Sequence, residues 1–364
     1  MKKIAVVIGT RPEAVKMCPL LLELKNRKNI NTVLCVTGQH REMLDGVLER
    51  FGVVPDVDLD IMKDSQTLFD ITERTMSGFR DFLFRQSPDV VVVHGDTTTA
   101  FAAALSAFYM KIPVAHVEAG LRTHDAFCPY PEEFNRTAID AVCKYMFAPT
   151  EKARENLINE GRNKDDVYVV GNTAIDALKY TIKRDYSSEI LQKAGERKLL
   201  VLTAHRRENR DDPKKFRAML SSVAKAAHDA GAYVIFPVHK SPAVRNVAND
   251  VFGKYDNAML CEPLDVFDFH NICSRAYLCV TDSGGIQEES PSMSLPVLVL
   301  RDETERPEAV ECGAVKLCGT NSERIYGEVY RLLTDDAAHD AMTGKKNPFG
   351  DGFSSVRIAD ILTK

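Results

Sequence analysis

Val90-Val91-Val92-Val93-His94-Gly95-Asp96-Thr97-Thr98-Thr99 holds the key to the architecture. β-Branched side chains are stiff at χ1 and fit a pleated, buried surface. The run stops on a glycine, and the aspartate and threonines beyond it are turn and helix-capping types. Equivalent runs recur at Lys3–Ile8, Thr32–Val36, Val114–Val117, Lys144–Ala148 and Val167–Val170. They continue at Lys198–Leu202, Tyr233–Pro237, Ala258–Cys261, Tyr277–Val280, Pro296–Leu300 and Val315–Leu317. Longer amphipathic segments lie between, with start and stop signals such as Thr150 ahead of Glu151–Glu160 and Gly161 behind it. Such alternation is the pattern of βα units, so the expected class is α/β, built of doubly wound, Rossmann-like parallel sheets.

The strand series pauses between Gly171 and Arg197, where one helical stretch and one charged stretch intervene. The expected division is therefore residues 1–171 and 172–352, and a chain of 364 residues suits two domains facing a central cleft. With 45% hydrophobic and 27% charged residues the chain is globular rather than disordered. No apolar run approaches the roughly 20 residues that span a bilayer, so no membrane partner is expected. A net charge of -5 argues against nucleic acid, while leaving room for local basic sites that hold one small anion. The nine cysteines are scattered and form no C-x-x-C pair, and Cys35, Cys261 and Cys279 read as core residues of strands. Reduced thiols and no zinc are expected. Met1-Lys2-Lys3 leads into an apolar stretch too short for a signal-peptide core, which points to the cytoplasm.

In open α/β sheets ligands bind beyond the carboxyl ends of the strands. Behind the first run stands Gly9-Thr10-Arg11-Pro12-Glu13, with Lys16 one turn into the helix. One glycine at a helix start favours an anion, yet the G-x-G-x-x-G fingerprint of dinucleotide sites is absent. Asp96 and Glu118 each follow a strand, and Glu132 lies in a proline-marked loop entering the helix through Asn135–Cys143. Taken singly, any of these is equally a helix cap or a surface charge. Three converging acids, two at strand ends and one in a loop, are harder to dismiss. In the second half, Thr203-Ala204-His205-Arg206-Arg207-Glu208-Asn209 crowds two arginines and a histidine into one turn, a composition that fits phosphate. Thr281-Asp282-Ser283-Gly284-Gly285 opens the helix through Gln287–Ser290, where glycines admit phosphate oxygens to backbone amides. The acids of Arg301-Asp302-Glu303-Thr304-Glu305-Arg306 are interspersed with arginines, which argues against a tight metal centre.

As an ordered set these motifs resemble those of the non-hydrolysing UDP-N-acetylglucosamine 2-epimerases, a GT-B family. The likeness is nearly full length. It includes Gln39-His40-Arg41, His116-Val117-Glu118-Ala119-Gly120-Leu121-Arg122, Pro131-Glu132-Glu133, Asp282-Ser283-Gly284-Gly285-Ile286-Gln287-Glu288-Glu289, Thr304-Glu305-Arg306-Pro307-Glu308 and the late Asn347-Pro348-Phe349-Gly350-Asp351-Gly352. Alanine at 204, where many relatives carry glycine, is a small departure.

The resemblance implies that the last helix, about 353–364, joins the first domain. It implies Asp96, Glu118 and Glu132 as catalytic carboxylates, with His205 beside them and in the UDP set. Arg11, Lys16, Ser283, Gly284, Gly285 and Glu289 would complete that UDP set, with Phe269 near the uracil and Arg306 on the sugar side. Gln39, Arg207 and His239 match the region where bacterial relatives bind a second UDP-N-acetylglucosamine as effector. The implied reaction interconverts UDP-N-acetylglucosamine and UDP-N-acetylmannosamine by anti elimination of UDP and re-addition through 2-acetamidoglucal. No cofactor is implied, and the expected assembly is a homodimer serving surface polysaccharides. The alternatives are a hydrolysing epimerase that releases free N-acetylmannosamine, a GT-B glycosyltransferase, and a catalytically silent nucleotide-sugar sensor.

Overall fold

The computed structural model describes residues 1–38, 41–63 and 65–364, with the side chains of 41–43 and 207 outside the described set. Its strands are β1 (Lys2–Ile8), β2 (Ile30–Val36), β3 (Val57–Asp58), β4 (Val90–His94), β5 (Val114–Val117), β6 (Tyr145–Ala148) and β7 (Val167–Val169). They continue with β8 (Leu199–Thr203), β9 (Tyr233–Pro237), β10 (Ala258–Cys261), β11 (Leu278–Thr281), β12 (Val297–Val299) and β13 (Val315–Leu317). Each run expected from sequence carries a strand. β3 went unread because two residues make no periodic signal.

The first unit comprises Met1–Tyr180 and Phe349–Lys364. Its seven strands lie in the order β3-β2-β1-β4-β5-β6-β7, all pairs parallel. Ile4, Ala5, Val6 and Ile8 of β1 and Val91–Val93 of β4 are wholly buried, as strands covered on both faces must be. The second unit, Thr181–Pro348, holds a parallel sheet of six strands in the order β10-β9-β8-β11-β12-β13. In each sheet the strand order reverses once, between β1 and β4 in the first and between β8 and β11 in the second. At such a reversal the flanking connections leave on opposite faces, which opens a crevice at the carboxyl edge.

The division falls after Tyr180 rather than Gly171, and after Pro348 rather than residue 352. Hydrogen bonding explains the shift. Asp176, in the helix Thr173–Thr181, accepts from the backbone N–H of Ser355 at 2.7 Å and Ser354 at 3.2 Å, capping the terminal helix Ser354–Thr363. Asn172 donates its N–H to the Phe349 carbonyl at 2.6 Å. At the far end Asp360 pairs with Arg27, just beyond the helix Arg11–Lys25. Both helices thereby belong to the first unit. Cys35 and Cys279 are core residues as expected, but Cys261 is only half-buried because β10 is an edge strand.

Gly120 tests how tightly the segment after β5 is held. Its φ is +84°, and a Cβ there would stand 2.2 Å from the Ala153 carbonyl oxygen, so Gly120→Ala should destabilise the chain by about 3 kcal/mol or more. Gly46, mid-helix with open space around it, should gain up to about 1 kcal/mol as Gly46→Ala. Urea titration of both variants checks the contrast; equal effects would contradict the packing described.

Candidate active site

In the first unit a buried carboxylate joins the two loops that flank the reversal. The helix Arg11–Lys25 starts with Thr10 as cap and Glu13 at its third position. One Glu13 oxygen accepts from the N–H of Gly9 at 2.9 Å and of Thr10 at 2.6 Å. The other accepts from the Thr97 hydroxyl at 2.8 Å, across in the loop after β4. Thr97 in turn caps the helix Thr98–Tyr109 through the Ala100 N–H. Burial pushes the Glu13 carboxyl up to about 7, against the pull of its hydrogen bonds.

Around this joint stand the expected acids. Asp96, half-buried at the end of β4, is paired with Arg136 of the helix Glu132–Val142, and Asn135 of that helix donates to the Asp96 carbonyl at 2.9 Å. Arg136 also pairs with Glu133 at 3.1 Å. Glu118, directly after β5, is ion-paired with Lys16 and accepts from the Asn172 amide at 3.0 Å. His94 at the end of β4 lies 3.8 Å from the same carboxylate, and burial pushes its imidazole down to about 3, so it is neutral. Glu132 sits in the first turn of its helix rather than in the loop before it, because helix geometry begins directly after Pro131. Arg11 is exposed at the start of the first helix.

The second unit repeats the device with another acid. Asp282, wholly buried after β11, accepts from the N–H groups of His205 and Arg206 and from the Asn209 amide, all in the segment after β8. The helix Gly285–Glu289 begins earlier than the expected Gln287. A Cβ on Gly284 would lie 3.4 Å from the Arg306 guanidinium and 3.6 Å from that of Arg206, so backbone and two cations face one another there. Arg306 is held by Glu288 at 2.8 Å, and Ser283 donates its N–H to the Thr281 hydroxyl at 2.9 Å. Glu289 lies 3.3 Å from the buried His270, whose neighbour Phe269 is half-buried. The rings of His205 and His239 stack with centroids 5.9 Å apart.

A family model described as UDP-N-acetylglucosamine 2-epimerase matches residues 22–363. The Bacillus subtilis UDP-N-acetylglucosamine 2-epimerase is 49% identical over 366 residues, which cover all of this chain and 96% of that protein. The chain belongs to the UDP-N-acetylglucosamine 2-epimerase family. A crystal structure of the Listeria monocytogenes relative superposes with a TM-score of 0.94 at 46% identity, covering 100% of this chain and 96% of that one. The Neisseria meningitidis 2-epimerase, solved bound to UDP-GlcNAc, gives 0.88 at 42% identity with 99% of both chains covered. The fold is accordingly of the GT-B class.

For a member of the epimerase family, the expected acids Asp96 and Glu118 stand at one sheet edge of the first unit, and His205, Ser283, Gly284, Gly285 and Arg306 gather at the reversal of the second. Gln39 and the Arg207 side chain lie outside the described residues. Lys16, expected among the UDP ligands, is ion-paired with Glu118. Sequence reading passed over Glu13, Asp282, His94 and Glu133. The capping-box spacing of Thr10 and Glu13 was the one available signal for the first. Among the described residues no group of His, Cys, Asp and Glu is arranged to hold a metal ion, and no helix is long and apolar enough to cross a membrane.

Glu13 sets a pH dependence. Its folded-state value is raised from 4.5 to about 7, so between those limits the folded chain keeps a proton that the unfolded chain has released. The resulting stabilisation is complete below the lower value and fades as pH rises through the upper one. Glu13→Gln has no proton to lose. It should gain on the wild type between pH 5 and pH 8 by at most about 3 kcal/mol in denaturant titrations. A difference independent of pH would refute the assignment.

Proposed function

We propose that this chain interconverts UDP-N-acetylglucosamine and UDP-N-acetylmannosamine without net hydrolysis. The observation that carries the reading is the pair of acids at one sheet edge of the first unit: Asp96 is held by Asn135 and Arg136 of the helix beginning at Glu132, and Glu118 by Lys16 and Asn172. Membership of the epimerase family supports it. Carbon 2 of the sugar has no adjacent carbonyl, so its proton is not acidic enough for direct removal. Elimination avoids that barrier: a carboxylate takes the carbon 2 proton, the electron pair forms the carbon 1–carbon 2 double bond, and the bond from carbon 1 to the diphosphate oxygen breaks. The products are UDP and 2-acetamidoglucal. The diphosphate then re-adds to carbon 1 while an acid delivers a proton to the other face of carbon 2, so acid/base groups are needed on both faces.

Arg11, Lys16, His205, Ser283, Gly284, Gly285 and Glu289 are assigned to UDP, Phe269 to the uracil, and Arg306 to the sugar side. Guanidinium and amide donors around Gly284 offset the charge that develops on the leaving diphosphate. We further assign the chain to the cytoplasm, as a homodimer supplying N-acetylmannosamine units for surface polysaccharides. His239, stacked on His205, joins Gln39 and Arg207 as the proposed effector set. If it operates, pure UDP-N-acetylmannosamine is converted only after a lag that a trace of UDP-N-acetylglucosamine abolishes.

Incubation of UDP-N-acetylglucosamine with the enzyme in heavy water tests the reaction directly. Both epimers should acquire deuterium at carbon 2, with only traces of UDP and 2-acetamidoglucal. Retained hydrogen would refute elimination, and stoichiometric free N-acetylmannosamine would identify the hydrolysing reading. Asp96→Asn, Glu118→Gln and Glu132→Gln should each lower turnover by about a hundredfold or more with the fold intact. Near wild-type turnover in all three would overturn the carboxylate assignment.

A further inference from the structure

His116 of β5 is wholly buried two residues ahead of Glu118. Both of its ring nitrogens face oxygen. Nδ1 lies 2.6 Å from Asp140 Oδ1, and Nε2 lies 2.7 Å from the carbonyl oxygen of Gly95. A carbonyl oxygen only accepts, and so does an ionised carboxylate. Asp140 is ion-paired with the guanidinium of Arg122, a cation at any accessible pH, and that pairing favours its ionised form. Its second oxygen accepts from Arg122 at 2.8 Å and from the Gly120 N–H at 3.2 Å. With an acceptor on each side, a neutral ring would leave one nitrogen lone pair pointing at an oxygen lone pair in a buried site.

We propose that His116 carries a hydrogen on both ring nitrogens and, clamped between Asp140 and the Gly95 carbonyl, is a positioning residue that sets the placement of Asp96 relative to Glu118. The proposal rests on the catalytic reading of those two carboxylates given above.

The connections are short. Gly95 stands directly before Asp96 at a φ of +64°, and a Cβ placed on it would lie 4.0 Å from a Glu118 carboxylate oxygen. The Nε2–H of His116 therefore holds the turn from which Asp96 projects, while the same strand delivers Glu118. Asp140 belongs to the helix that starts at Glu132 and binds Asp96 through Arg136, so one ring joins the three acid-bearing segments. The groups that face it are Asp140 from the helix, the Gly95 carbonyl from the turn, and, as charged or titratable neighbours, Arg122 behind Asp140 and His94 on the adjacent strand. His94 is neutral, so the pocket holds one imidazolium rather than two.

A positioning role has a signature that loss of stability lacks. If Asp96 and Glu118 drift apart, elimination and re-addition lose their alignment, and more turnovers end in released UDP and 2-acetamidoglucal. In 15N-histidine-labelled wild type at pH 7.5, one ring should show both nitrogens protonated, and that signal should be absent from His116→Gln. Asp140→Asn should convert it to a singly protonated ring. His116→Gln should lower kcat by about a hundredfold with KM within about twofold, and raise the fraction of turnovers released as glucal by about tenfold. A singly protonated ring in the wild type overturns the proposal, as does wild-type kcat and glucal release in a folded His116→Gln. Should that variant not fold, the wild-type spectrum and Asp140→Asn decide. Undiminished turnover in Asp96→Asn would instead overturn the carboxylate reading while leaving the ring assignment standing.

Discussion

A parallel sheet delivers every strand's carboxyl end to the same edge, and where the strand order reverses nothing in the sheet itself binds the two flanking loops to one another. Buried carboxylates supply that bond in both units. Glu13 holds Gly9 and Thr10 on one side of the first reversal and Thr97 on the other. Asp282 reaches from β11 to His205, Arg206 and Asn209 after β8. In each case the acceptor satisfies backbone N–H groups that the tight turns leave without sheet partners, and such groups cost about 1–3 kcal/mol apiece when buried unpaired. Lys16 is placed by the helix that Glu13 starts, and Asp96 by the turn that Thr97 ends.

The edges of the two sheets present different side chains. Around β4 and β5 the side chains that matter are acids, each offset by a cation: Asp96 by Arg136, Glu118 by Lys16, and Asp140 by Arg122. Paired acids of this kind survive burial because the partner offsets the desolvation that a lone charge would suffer. Around β8 and β11 it is glycine backbone and guanidinium groups that meet, and the acids there, Glu288 and Glu305, serve to hold arginines in place. The two sheet edges thus offer separate chemical environments.

The strands were legible because a sheet covered on both faces reads as continuous apolar runs, and the polar residues after each run marked the site edge. What was not legible is long-range. No local pattern tells that β1 neighbours β4, so the pin from Glu13 to Thr97, 84 positions apart, could not be read from spacing. Adjacent identical residues make the point sharply. Glu132 and Glu133 look interchangeable in sequence, yet Glu133 is buried, accepting from the N–H groups of Thr123 and His124, while Glu132 remains half-exposed. His94 and His116 form a similar pair, one neutral and one held between two acceptors. The domain boundary slid past Gly171 because Asp176 binds the terminal helix, a contact across 178 positions.

The segment after β5 shows most clearly how local preference yields to the site. Glu118 adopts a φ of +69°, a region that costs a non-glycine residue on the order of 1–3 kcal/mol. Its carboxylate gains from this backbone the position between Lys16, Asn172 and His94. The conformation is over-determined by its surroundings: the N–H groups of Glu118 and Ala119 both donate to the Phe147 carbonyl at 3.1 Å, Asp140 accepts from Gly120, and Asn156 donates to the Gly120 carbonyl at 3.0 Å. Residues on either side are therefore fixed by bonds that do not involve the Glu118 side chain at all. The strain of this backbone is thus held by its neighbours rather than by the Glu118 side chain.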